Sequence, residues 1–369
     1  MPVAESGAGL EQNGGVEDKM KKTMSEILTE LCQLPGPAGF EEQVASHVKK
    51  LLEPYMDDTW TDVLGNVTGV RKCGKDNAQK LLFDAHIDEV GLIVTGVEEG
   101  FLRFDKLGGL DARVLPASGV MILTEPPRYG VISVLPPHVL KKEDTEKVTK
   151  IEGLFIDIGM TQAEAEKMVP PGTPGVLVQH LRNLGENNLC GKALDDRAGF
   201  AAILRAAELL KDIPLDVDLY IMASVQEEVG VRGATPGAYA IAPDYCIVVD
   251  VGHAKTPDTK LHETDEILGG GVIITRGPNM NPVLTERILK LAQDNAIDHQ
   301  INVAPGGSSG TNARAIQISR SGVATALLSI PMKYMHSANE VVSLDDVEST
   351  AQLLCETAKA PAPARTAER

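Results

Sequence analysis

Between residues 20 and 360 the chain alternates short unbroken apolar runs with longer segments of helical period. KLLFD (80–84), VDLYIMAS (217–224), YCIVVDV (245–251), VIIT (272–275) and TALLSI (325–330) read as strands buried on both faces of a sheet. Lys21–Leu34 reads as a helix ended by Pro35-Gly36-Pro37, and Phe40–Tyr55 carries apolar residues at helical spacing, as does AGFAAILRAAELLKDI after Asp196. Asn281-Pro282 places a cap before a proline at the first helical position. Ser343-Leu344-Asp345-Asp346 resembles a capping box opening a helix to Lys359. Strands alternating with helices from about 183 to 360 predict an α/β fold: a three-layer catalytic domain (20–90 and 183–359) around a mixed, largely parallel sheet. Residues 91–182 differ. They are rich in Gly, Pro and β-branched residues, with helical period only in AEAEKM (163–168), and predict a small β-rich domain inserted into the first. Residues 1–19 and 360–369 are polar or Pro/Ala-rich and are expected to be disordered.

Composition narrows the function. The chain of 369 residues has 35 basic against 52 acidic side chains, a formal net charge of −17. That balance disfavours nucleic acid and anionic membranes as partners, and no apolar run approaches the ~20 residues of a membrane helix. Aromatic residues make up only 4%, so stacking platforms for bases or sugars are scarce. The first residues show neither a basic n-region nor an apolar h-region. The five cysteines (Cys32, Cys73, Cys190, Cys246, Cys355) are widely spaced with no CxxC pair. A reduced, cytoplasmic protein is expected, and the sequon at Asn66 is then idle.

In open α/β sheets ligands collect at the carboxyl ends of strands, and five such ends carry candidate chemistry. KLLFDAHIDEVG runs into His86, with Asp88 two residues on and able to hold the imidazole; alone, His86 could equally be a solvated strand end. Asp195 and Asp196 precede a helix, where they serve as caps or as carboxylates bridging two cations. VDLYIMASV ends at Gln226-Glu227-Glu228, and two acids after an apolar strand are costly unless paired or metal-bound. Asp250 ends YCIVVDV, and His336 follows TALLSI. Taken alone, the glutamate pair leans toward function and each of the other positions reads more readily as structural. Together, His86, Asp195, Glu228, Asp250 and His336 supply five N/O donors, one a bridging carboxylate, enough for two divalent metals ~3.5–4 Å apart. Without thiolates the set suits Zn²⁺, with Co²⁺ or Mn²⁺ as alternatives. Glu227 is left over as a general base for water.

The motifs LPGPAGFEEQV, DAHIDEVG, GLFIDIGM, KALDDRAG, QEEVGVRGA, VVDVGHA and YMHSANEVV, in order between about residues 24 and 357, resemble the tetrahedral (TET) or glutamyl (deblocking) aminopeptidases. These are dinuclear metallo-exopeptidases, some called cellulase M. The resemblance implies His86 and Asp250 on one metal, Glu228 and His336 on the other, Asp195 bridging, Asp88 orienting His86, and Glu227 as the base. It implies peptide substrates with a free N-terminus, a dimerisation role for the inserted domain, and homo-oligomers from dimers to dodecamers. Two departures stand out: GGSSGTNARA (306–315) is longer than the family's stretch, with Asn312 where Asp is expected, and Lys333 stands where Arg is expected.

Other classes fit less well. Gly306-Gly307-Ser308-Ser309-Gly310 matches a nucleophile elbow at Ser308, but no Asp or Glu lies between it and His336. Gly185 to Gly191-Lys192 is one residue too long for a P-loop, and Ala193 replaces Ser or Thr. A glycosidase would need carboxylates such as Glu227 and Asp88 across a groove. A non-catalytic metal scaffold would have no use for Glu227, and a deacylase remains an alternative hydrolase.

Overall fold

The computed structural model describes residues 22–139, 148–259, 264–304 and 309–360. Ser308 and the expected disordered ends, apart from Ala360, lie outside the described residues.

The apolar runs become the middle of one mixed sheet. Its spatial order is Asp58–Thr61, Val67–Arg71, Asp218–Ser224, Lys80–His86, Tyr245–His253, Ala324–Lys333, Glu340–Ser343, Asn188–Gly191 and Arg182–Leu184. Lys80–His86 pairs in parallel with Asp218–Ser224 on one side and Tyr245–His253 on the other, and Tyr245–His253 pairs in parallel with Ala324–Lys333. The flanking strands join antiparallel, while Val272–Arg276 pairs with Ala324–Lys333 and carries His299–Val303 at its outer edge.

Alternation along these strands makes three layers. Leu81, Phe83 and Ala85, with Ile221, Ile247 and Leu328, face the helices Met24–Gln33, Leu194–Leu210 and Leu344–Lys359. Leu82, Met222, Cys246, Val248 and Leu327 face Ala234–Ile241 and Ala313–Ile316. Both faces are covered, which is why these strands read as unbroken apolar runs.

Helix ends mostly obey their local signals. Thr23 and Glu26 form a capping box before Met24–Gln33, and Asn281 accepts from the Leu284 N–H with Pro282 first in the helix. Ser343 does precede Leu344–Lys359, but its side chain makes no cap hydrogen bond, so the expected capping box is not formed. The residues between Gly91 and Leu177 build a closed barrel in the order Gly91–Glu98, Phe101–Leu107, Ile156–Asp157, Arg128–Ile132, Gly119–Ile122, Pro174–Leu177. It has a core of its own around Leu92, Leu102, Val120, Ile132 and Ile156.

Candidate metal centre

The parallel strands bring their carboxyl ends together. His86 closes its strand and lies in register with Ser224, so Gln226-Glu227-Glu228 emerges one strand over. Asp250 sits near the end of the next strand, and His336 in the turn after Ala324–Lys333. Three backbones here adopt left-handed φ: Ala193 (58°) before the Asp pair, Gln226 (56°) before the Glu pair, and His336 itself (59°). Such conformations in non-glycine residues cluster where side chains must be aimed.

Asp195 is the hub. Its Oδ1 lies 3.1 Å from His86 Nε2, and its Oδ2 lies 3.3 Å from His336 Nε2. Glu228 Oε1 is also 3.3 Å from His336 Nε2. One carboxylate thus faces two imidazoles with separate oxygens, the geometry a bridging ligand needs. His86 Nδ1 lies 3.5 Å from Asp88 Oδ1 and 3.2 Å from the Asp88 carbonyl. Asp88 in turn accepts from the backbone N–H groups of Glu227 and Glu228, at 3.1 Å each. It therefore ties the histidine strand to the glutamate turn. Donor atoms of His86, Asp195 and Glu228 lie mutually within 4.8 Å, as do those of His86, Asp196 and Asp250.

The donor set fits divalent cations. Asp88, Asp195, Asp196, Glu227, Glu228 and Asp250 crowd around two imidazoles. Burial and like-charged neighbours push Asp250 and Asp196 well above the usual carboxylate range. Burial, resisted by His86 and reinforced by Glu228, pushes Glu227 up to about 7. Burial pulls on the histidines, but Asp195 and Glu228 outweigh it and push His336 up to about 11. The cluster demands positive charge, and protons on imidazole or divalent cations both answer it. Glu227 Oε1 and Asp196 Oδ2 are buried with no hydrogen-bond partner among the described residues, as expected of oxygens whose partner is an ion or its water.

All seven residues singled out in the sequence converge here, joined by Asp196 and Asn312, which the sequence also marked, and by Glu340 and Gly109, which it did not. The Asp195-Asp196 pair divides: Asp196 Oδ1 caps the helix through the Gly199 N–H at 3.0 Å, and the residue also offers a carboxylate oxygen near the donor atoms of His86 and Asp250. DDRAG therefore both caps its helix and offers carboxylate oxygens to the cluster. Glu340, buried, accepts from the N–H groups of Leu194 (2.8 Å), Asp195 (3.2 Å) and His336 (3.1 Å); its only sequence signal is an acid opening the strand EVVS. Gly109, from the barrel, approaches so closely that a Cβ there would lie 2.4 Å from His336 Nδ1. Asn312 donates to Asp84 Oδ2 (2.9 Å), two residues before His86, and to Ser224 Oγ (2.8 Å), in register with His86. Deeper still, Glu89 is clamped by Lys192 Nζ at 2.7 and 2.8 Å, and Arg197 donates to the Ile87, Leu31 and Leu34 carbonyls. These bonds fix the loops that carry His86 and Asp195. The cavity above has a volume of about 510 Å³, bordered by the seven's Glu227, Glu228, Asp250 and both histidines, and by Gly109, His253, Arg314 and Met335.

A carboxylate-bridged imidazole pair with a spare buried glutamate, at the open end of a three-layer α/β sheet, is the architecture of a hydrolase. The chain belongs to the M42 glutamyl aminopeptidase family, which it matches over residues 65–353. It is 37% identical over 335 residues to the lysyl aminopeptidase of Pyrococcus furiosus, spanning 89% of this chain and 94% of that protein. An aminopeptidase of Desulfurococcus kamchatkensis superposes with a TM-score of 0.84 at 36% identity, over 91% of this chain and 94% of that one. The TET1 peptidase of Pyrococcus horikoshii, which can assemble into a tetrahedron or a large octahedral shell, superposes with a TM-score of 0.81 at 33% identity, over 91% and 99% of the two chains. The protein is an aminopeptidase, a hydrolase of peptide bonds.

Proposed function

We propose that this aminopeptidase works with two divalent ions, Zn²⁺ by preference and Co²⁺ or Mn²⁺ as substitutes, and releases single residues from the free N-terminus of peptides. The observation that carries the reading is Asp195, with one oxygen toward each imidazole, beside the unpartnered Glu227. His86, Asp195 and Asp250 would hold one ion, with Asp196 at hand; Asp195, Glu228 and His336 would hold the other. Bound there, the ions supply Lewis acidity toward the scissile carbonyl and acidify water. Glu227 takes the proton of the attacking water on Oε1 and returns it to the nitrogen of the leaving amine. Asp88 keeps His86 in one tautomer and Glu227 in place through its backbone bond. The acidic floor draws in the substrate's ammonium group and so favours attack at the first peptide bond. No Phe, Tyr or Trp among the described residues borders the cavity, which counts against a glycosidase.

The barrel exposes Tyr129, Val131, Val134 and Leu135, and with the relative's shell-like assemblies this supports dimerisation through the barrel and higher homo-oligomers. All five cysteines are unpaired, which supports a reducing, cytoplasmic setting.

The test is hydrolysis of an aminoacyl-anilide panel by chelated enzyme before and after adding Zn²⁺, Co²⁺ or Mn²⁺, with an N-acetylated control. Activity that needs both metal and a free amine is expected. Equal cleavage of the acetylated substrate, or no activity with any metal, overturns the reading.

A further inference from the structure

Among the described residues, Arg314 is the one lysine or arginine bordering the cavity. It stands second in the short helix Ala313–Ile316, is exposed, and makes no ion pair or side-chain hydrogen bond among the described residues. The neighbouring stretch from Pro305 to Ser308 carries no charge to neutralise it. The helix that carries it is nevertheless anchored. Asn312, just before this helix, is anchored to Asp84 and Ser224. Those residues lie on the same two strands that end in His86 and lead to Glu227. The start of the helix that carries Arg314 is thus tied to the two strands of the reaction centre through two buried hydrogen bonds.

Burial orients a substrate in this cavity. His86, Asp195 and Asp250 are deeply buried, so an incoming ammonium goes to the floor and the rest of the peptide extends toward the exposed rim where Arg314 sits. In a dipeptide or tripeptide the C-terminal carboxylate follows the amine by only a few extended residues, each ~3.5 Å long. It therefore has to stay inside a cavity whose other non-histidine charges, Asp195, Glu227, Glu228 and Asp250, are all negative. With those carboxylates matched by the two proposed ions, Arg314 is the cationic side chain left free at the rim to meet that carboxylate, and a guanidinium does so with two parallel N–H donors.

We infer that Arg314 binds the C-terminal carboxylate of dipeptides and tripeptides, so that the enzyme takes short free-acid peptides in preference to capped ones. The inference rests on the aminopeptidase reading above and adds a second end to the substrate.

The experiment compares Leu-Gly-Gly with its C-terminal amide in the zinc-loaded enzyme and in Arg314→Met and Arg314→Lys. An exposed bidentate pair is worth about a two- to fivefold preference for the free acid in kcat/KM. That ratio should fall to about one in Arg314→Met and recover in part in Arg314→Lys. A wild-type ratio near one overturns the inference. So does a loss in Arg314→Met confined to substrates with an N-terminal Glu, which would assign the guanidinium to the first side chain instead. Calorimetric binding of the same two peptides to zinc-loaded Glu227→Gln reads the ratio without turnover. Hydrolysis of leucine anilide, which has no carboxylate, by the wild-type enzyme tests the aminopeptidase reading separately.

Discussion

Replacing Glu340 by Gln tests whether the centre is held by this single buried carboxylate. Its two oxygens accept three backbone N–H groups: Leu194 and Asp195 on Oε2, His336 on Oε1. Gln keeps one acceptor. The amide should keep its oxygen toward Leu194 and Asp195, where two bonds survive, and turn its NH₂ toward the His336 N–H. That loses a charge-assisted bond worth ~1.5–3 kcal/mol and sets donor against donor. Burial and the nearby Asp195 push Glu340 well above its ordinary range, so removing its charge gives part of this back. The net destabilisation should be about 2 kcal/mol, or roughly 3 °C in melting temperature for a chain of this size. The larger effect should fall on metal, because His336 is no longer held toward Asp195 and Glu228: zinc affinity should drop ~10–100-fold, as it does when a group orienting a ligand is lost. Calorimetric melting and competitive zinc titration measure the two quantities separately. A variant that melts about 2 kcal/mol lower yet binds zinc like the wild type would refute the positioning argument and leave Glu340 merely structural.

Other perturbations follow from the same geometry. Glu227→Gln should cut turnover by at least ~10²-fold while both ions stay bound, read by activity and metal content together; loss of metal would instead make Glu227 a ligand. Gly109→Ala should force the His336 ring to move, since the new methyl would meet Nδ1 at 2.4 Å. Titration with Co²⁺ should then show one weakened site in a protein whose far-ultraviolet dichroism is unchanged. Burial pushes Asp346 up to about 6, against the pull of its bonds from the Gly269 and Gly271 N–H groups. Its folded value thus lies above the ~3.9 of an unfolded aspartate, so its contribution to stability is present below that value and is lost as pH rises from about 4 to 6. The melting temperature of Asp346→Asn relative to wild type should therefore climb across that interval, and a flat difference would rule the titration out.

Much of the molecule is written in local patterns. The unbroken apolar runs announce strands covered on both faces, and the acids and histidines that end them announce a site, because a charged group stopping a buried strand is costly unless it has work to do. Hence His86, Asp88, Asp195, Glu227, Glu228, Asp250 and His336 were legible one strand end at a time, and the ordered motifs joined them into one family. The hairpin of Asp58–Thr61 with Val67–Arg71 was not legible, because its first strand, DTWT, is exposed to partly buried and carries no apolar run.

What the sequence determined is therefore the periodicity of burial and the chemistry placed where that periodicity breaks. The tertiary structure decided which atoms meet. Asp195 rather than Asp196 faces both imidazoles, Glu340 holds the pair together, Gly109 of the barrel closes on His336, and Arg314 arrives at the rim. These outcomes depend on strand order and crossovers that place segments more than 100 residues apart side by side, as His86 and Asp195 are. A local pattern records how deeply a residue is buried, but not which distant residue shares its burial.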